Sequence, residues 1–129
     1  MFATLFTILA TLLALDVVWL TLRAGAHEAL FRSVQGGAPL RPRYVPAAIV
    51  YLIMTAFVYI YAVRDARSSL DAAARGALIG VLAYGFYDIT NYATLTNYTL
   101  AMTLTDMAWG TALFTVAAAI GYITYRAVP

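Results

Sequence analysis

Three aspartates interrupt otherwise apolar stretches of this chain, and those stretches decide what it can fold into. The first stretch runs from Met1 to about Leu22 and carries one charge, Asp16. The second, about Tyr44 to Val63, carries none. The third, about Gly76 to Leu95, carries Asp88, and the fourth, about Leu100 to Tyr125, carries Asp106. Each approaches the roughly 18–20 residues that cross a hydrocarbon core about 30 Å thick. In lipid every backbone N–H and C=O must be satisfied internally, so the stretches read as helices. A β-barrel needs alternating segments of about ten residues, a pattern not present here. The expectation is therefore all-α: a four-transmembrane-helix bundle forming one integral membrane domain over residues 1–129.

Composition supports this. The chain is 64% hydrophobic and only 11% charged, against about one quarter charged in an average soluble domain. Eight arginines against six acids give a net charge of +2, with the arginines scattered. No basic patch marks a nucleic-acid partner. There is no cysteine and one histidine, which excludes disulfides, thiolate catalysis and Cys-based metal sites. Ala24-Gly25-Ala26 loosely fits a signal-peptide cleavage site. However, no Lys or Arg precedes the first apolar run and Asp16 interrupts it, so it reads as a retained span.

The connections differ in kind. Between Arg23 and Arg43, Leu30, Phe31 and Val34 fall at helical spacing, which predicts a short interfacial helix ended by Gly36-Gly37. Arg64 to Arg75 is a charged hairpin, with Ser68-Ser69-Leu70-Asp71 offering a cap for the next helix. Thr96 to Thr99 is short and uncharged; its Asn97-Tyr98-Thr99 sequon reads as chance. With four spans, Arg64, Arg67, Arg75 and Arg126 lie on one side and Arg23, Arg32, Arg41 and Arg43 on the other. This tie leaves orientation open.

Ionisable groups inside a span cost about 2.5–3.5 kcal/mol each on insertion scales. Asp16, Asp88 and Asp106 each lie seven residues from the same end of the bundle, or about 10 Å inside one face at the helical rise. The faces agree. Gly76, Gly80, Tyr84 and Asp88 follow at i+4 steps, then Asn91 or Tyr92; small residues there let a second helix approach. Asp106, Trp109, Gly110, Leu113, Ala117 and Gly121 share one face of the last span. Leu5, Leu9, Leu12, Asp16, Trp19 and Arg23 share one of the first. Asp16-x-x-Trp19 and Asp106-x-x-Trp109 echo each other, and an indole N–H can donate to a carboxylate on a neighbouring helix.

The expected site is thus a buried polar cluster of Asp16, Trp19, Tyr84, Asp88, Asn91, Asp106 and Trp109, with the three acids meeting at one level. Three ionised carboxylates there repel, so a proton or cation is expected among them. An all-oxygen set of Asp16, Asp88, Asp106 and Asn91 would suit Na⁺, Mg²⁺ or Ca²⁺, but neither a metal nor a cofactor is assigned. No catalytic residue is assigned either. Arg23 is a candidate counter-charge, and Arg32 could fold back over the site. Tyr92 and Tyr98 read as interfacial belt residues, Tyr51 as belt or packing, and His27 as exposed. Three functions fit: binding or transport of protons, a cation or an amphipathic small molecule; a lipid-modifying enzyme using paired Asp as acid and base; or an accessory subunit. Expected partners are membrane lipid and a second copy or a larger complex.

Several blocks also resemble a known family. They are Leu15-Asp16-Val17-Val18-Trp19-Leu20, Phe31-Arg32, Tyr84-Gly85-Phe86-Tyr87-Asp88-Ile89-Thr90-Asn91-Tyr92-Ala93-Thr94-Leu95 and Asp106-Met107-Ala108-Trp109-Gly110-Thr111. Over nearly the whole chain the sequence is similar to domain-of-unknown-function family 2177 of small bacterial membrane proteins. A Trp-Pro associated with that family after the third span is replaced here by Asn97-Tyr98. The resemblance implies four helices in the bacterial inner membrane and no particular activity.

Overall fold

A computed structural model describes residues 1–128, and all regular structure among them is helical. Helix α1 is Phe2–Leu22, α2 is Ala24–Val34 and α3 is Tyr44–Val63. Helix α4 is Ser69–Thr94 and α5 is Leu100–Ala127. The last six residues of α3, Val58–Val63, wind as a π-helix.

The helix ends follow local chemistry. Gly36 and Gly37 adopt positive φ (63° and 92°) after α2, and the Gly37 N–H donates to the Arg32 carbonyl. This closes the helix with the left-handed turn that glycine permits. Ser68 Oγ accepts from the Asp71 N–H at 3.1 Å and caps α4; Thr99 does the same for α5 through the Met102 N–H. Asp71 also accepts from the Arg75 guanidinium and the Arg67 N–H, which hold its carboxyl below the usual carboxylate range. That contribution is present above the unfolded-state pKa and fades as pH falls through the lowered one. Ser68→Ala is expected to cost about 1 kcal/mol, read as a lower melting temperature in detergent, because the Asp71 N–H loses its partner.

Among the described residues three helices, α1, α3 and α5, are long and apolar enough to cross a membrane. Helix α4, which the sequence reading counted as a further span, is long enough but by composition not apolar enough to be counted with them, so three candidate spans stand where four were expected. Asp71, Arg75, Asp88, Asn91, three glycines, one serine, two threonines and three tyrosines dilute its average. The dilution is one-sided, however. Gly76, Gly80, Gly85 and Asp88 are buried, whereas Leu78 (60% exposed) and Phe86 (76%) point outward with Leu82 and Ile89.

The centre of the bundle is the α4–α5 seam. A Cβ on Gly76 would stand 2.4 Å from the Phe114 carbonyl oxygen, and one on Gly80 would stand 2.3 Å from that of Gly110. The two backbones therefore touch where the sequence placed small residues on both faces. Ile8 and Leu12 of α1, Val58, Ala62 and Val63 of α3, Ala72 of α4, and Leu113, Phe114, Ala117 and Ala118 of α5 complete the core. Arg23 marks the joint between α1 and α2. Beyond it, α2 folds over the α4–α5 turn, with Leu30 packed on Tyr98 and Met102.

Candidate polar site

The three acidic side chains turn away from the exposed apolar surface, but they do not form one pocket. Among the described residues no three of His, Cys, Asp and Glu are grouped as metal ligands. Each acid has its own hydrogen-bonding partners, while Asp106 stays within electrostatic reach of both Asp16 and Asp88.

Asp16, on α1, is buried. Its Oδ1 accepts from the Trp109 indole N–H of α5 at 2.8 Å, and its Oδ2 accepts from the Tyr51 hydroxyl of α3 at 2.8 Å. One carboxylate thereby joins three helices. Trp109 in turn stacks on Trp19, with centroids 4.6 Å apart and planes 2° apart. The Arg23 guanidinium carbon lies 5.5 Å above the Trp19 centroid, at cation–π distance. The two Asp-x-x-Trp elements therefore meet through their indoles, while only Trp109 reaches across to an aspartate.

Asp88, on α4, is 0% exposed. Its Oδ1 accepts from the Tyr98 hydroxyl at 2.5 Å, and its Oδ2 has no partner. Tyr98 sits in the turn between α4 and α5 and is 4% exposed. Burial, then the bond to Asp88, pushes its phenol above the ordinary range, so the hydroxyl remains a donor. Tyr98 is thus a partner of the buried acid, which corrects the belt expectation.

Asp106, on α5, is partly buried. His27 Nε2 of α2 stands 3.5 Å from Asp106 Oδ1, an oxygen that otherwise has no partner. The expectation of an exposed histidine is corrected: His27 is 8% exposed. It shares the inward face of α2 with Leu30 and Val34, so the 27, 30, 34 spacing carried that signal. Tyr51 had no comparable signal, because an apolar helix of uniform hydropathy does not reveal which tyrosine meets a neighbour's carboxylate.

Other expected members stand apart. The Tyr84 ring packs edge-on to Phe114 and over Gly110. Asn91 is half-buried one turn beyond Asp88; the donors to the carboxylates are Tyr51, Tyr98 and Trp109 instead. Arg32 pairs with Glu28 on the exposed side of α2 at 3.5 Å and does not fold over the site.

Two hollows flank the polar level. An apolar one of about 290 Å³ lies between α3, α4 and α5, lined by Val50, Met54, Ala83, Tyr84, Tyr87 and Phe114. A second, of about 320 Å³, lies between α2 and the start of α5, where Arg23, Ser33, Asn97 and Thr99 contribute.

In comparison with known proteins, the model of a family described as "Predicted membrane protein (DUF2177)" matches residues 1–123. No curated protein and no solved structure matches the chain.

Proposed function

Because the chain belongs to the DUF2177 family of predicted membrane proteins, we propose that it is a four-span bundle holding positive charge at a buried polar level. The bound species is a proton, a small cation or the cationic end of an amphipathic molecule. The proposed location is a bacterial inner (cytoplasmic) membrane. Helix α4 serves as the fourth span: its polar residues face the bundle, and Leu78, Leu82, Phe86 and Ile89 face outward.

One observation carries the binding reading. Asp88 is wholly removed from the surface, and one of its two oxygens receives no hydrogen bond. A buried carboxylate left so short of donors costs several kcal/mol unless positive charge joins it. The apolar hollow lined by Tyr84 and Tyr87 favours an amphipathic ligand, since it has room for an apolar tail. The enzyme reading draws less support, because the carboxylates are engaged by Tyr, Trp and His rather than by one another.

Asp88→Asn tests the reading, as it keeps the shape and removes the charge. Purified wild-type protein should show a melting temperature that responds to pH between about 5 and 8, to sodium, or to the lipophilic cation tetraphenylphosphonium. The variant should lose that response. A variant that melts earlier with every wild-type response intact overturns the proposal and points to an accessory subunit.

A further inference from the structure

His27 stands on α2, outside the helices that carry the aspartates, and its two ring nitrogens face two different acceptors. Nδ1 lies 3.1 Å from the Arg23 carbonyl oxygen, one helical turn back. A carbonyl can only accept, so Nδ1 carries a hydrogen. In the neutral ring Nε2 is then a bare lone pair, and it faces Asp106 Oδ1 at 3.5 Å. Two acceptors at that distance repel. One added proton reverses the sign, whether it sits on Nε2 as imidazolium or on Asp106 as the acid.

We infer that His27 and Asp106 together bind one proton, and that this proton fastens α2 over the polar level of the bundle. This deepens the proposed function by naming which pair takes the proton and what its binding moves. The rest of the α2 attachment is a small apolar cluster, Leu30 and Val34 with Tyr98, Met102 and Leu95, and the Asn97 side-chain N–H donating to the Ser33 carbonyl at 3.2 Å. Other charged groups act on the pair without bonding to it: the Arg23 guanidinium attracts the Asp106 carboxylate, and Asp16 and Asp88 repel it. Arg23 lies at the α1–α2 joint against Trp19, Asp16 is engaged by Tyr51 and Trp109, and Asp88 is engaged by Tyr98. Glu28 and Arg32 pair with each other on the outer side of α2.

The sign follows directly. The fastened state holds one proton more than the released state, so fastening is favoured at low pH and lost as pH rises. Released, α2 uncovers Tyr98 and with it the approach to Asp88. Proton loss at the lid would then open the second, buried carboxylate to a ligand.

The chain has no cysteine, so an introduced thiol is the single reporter. Leu30→Cys lies under α2, against Tyr98, and Ala29→Cys on its exposed side supplies the reference for the reagent's own pH dependence. Both are labelled with a maleimide in lipid nanodiscs between about pH 5.5 and 8.5. The ratio of buried to exposed labelling should rise with pH, by up to about tenfold per unit for a one-proton linkage. It should stay low and flat with Asp106→Asn, whose amide N–H donates to neutral Nε2. His27→Gln, whose amide donates to the carboxylate, should flatten it too. A flat ratio in the native pair overturns the inference, as does an undiminished rise in Asp106→Asn. Asp88 is untouched throughout, so this outcome stands apart from the Asp88→Asn melting test.

Discussion

Gly80→Ala is expected to destabilise the bundle by about 3 kcal/mol, although alanine is the better helix former by about 1 kcal/mol. The steric effect wins because of what the new methyl meets. It would stand 2.3 Å from the Gly110 carbonyl oxygen and 2.7 Å from the Thr111 Cα. Both are backbone atoms, so no rotamer change relieves them, and α4 and α5 must separate along their shared seam. The same change is expected to be nearly neutral at Gly85. There the nearest atom is the Met107 terminal methyl at 3.3 Å, the end of a flexible side chain. At Gly25, with nothing within 4 Å, it should stabilise. Melting temperatures of the three variants in one detergent check the ordering. Gly80→Ala at or above wild-type stability would show that the α4–α5 seam is looser than its backbone contacts imply.

That seam is also the part most legible in the sequence. Gly76, Gly80, Tyr84 and Asp88 recur at i+4, and Asp106, Gly110, Ala117 and Gly121 lie on one face of α5. Period alone therefore predicts which surfaces meet. Of the polar pairings, an indole donating to a carboxylate on a neighbouring helix was legible, and Trp109 makes that bond to Asp16; the others were not, because the acids are met by residues of other elements. Tyr51, Tyr98 and His27 reach them only through the tertiary arrangement, and an expectation confined to the acids' own spans could not find them. Helix α4 misled in another way: its stretch from Gly76 to Leu95 carries one charge and reads as a span, yet over the helix its polar residues and glycines, several of them facing the bundle, lower the average hydropathy. A count along the chain averages two faces that lipid and bundle each see separately.

Asp16 offers the most demanding check on the polar level, since its carboxylate holds donors from two other helices. Asp16→Leu removes the acceptor and leaves the Trp109 N–H and the Tyr51 O–H facing apolar atoms. Each orphaned donor costs about 1–3 kcal/mol. The membrane lowers the total, because the separated helices also find partners. A net loss of about 3 kcal/mol is expected. Asp16→Asn should cost far less. Its amide oxygen still accepts from Trp109, and its N–H₂ can donate to Tyr51, because a hydroxyl reverses its role where an indole cannot. The double variant Asp16→Leu with Trp109→Phe should regain part of the loss by removing the stranded donor along with its acceptor. The cycle should give a favourable coupling of about 1–2 kcal/mol for the native pair. Additive single effects would show that Asp16 and Trp109 do not act together, and the link between α1 and α5 would rest on the Trp19–Trp109 stack and the Ile8 and Leu12 packing.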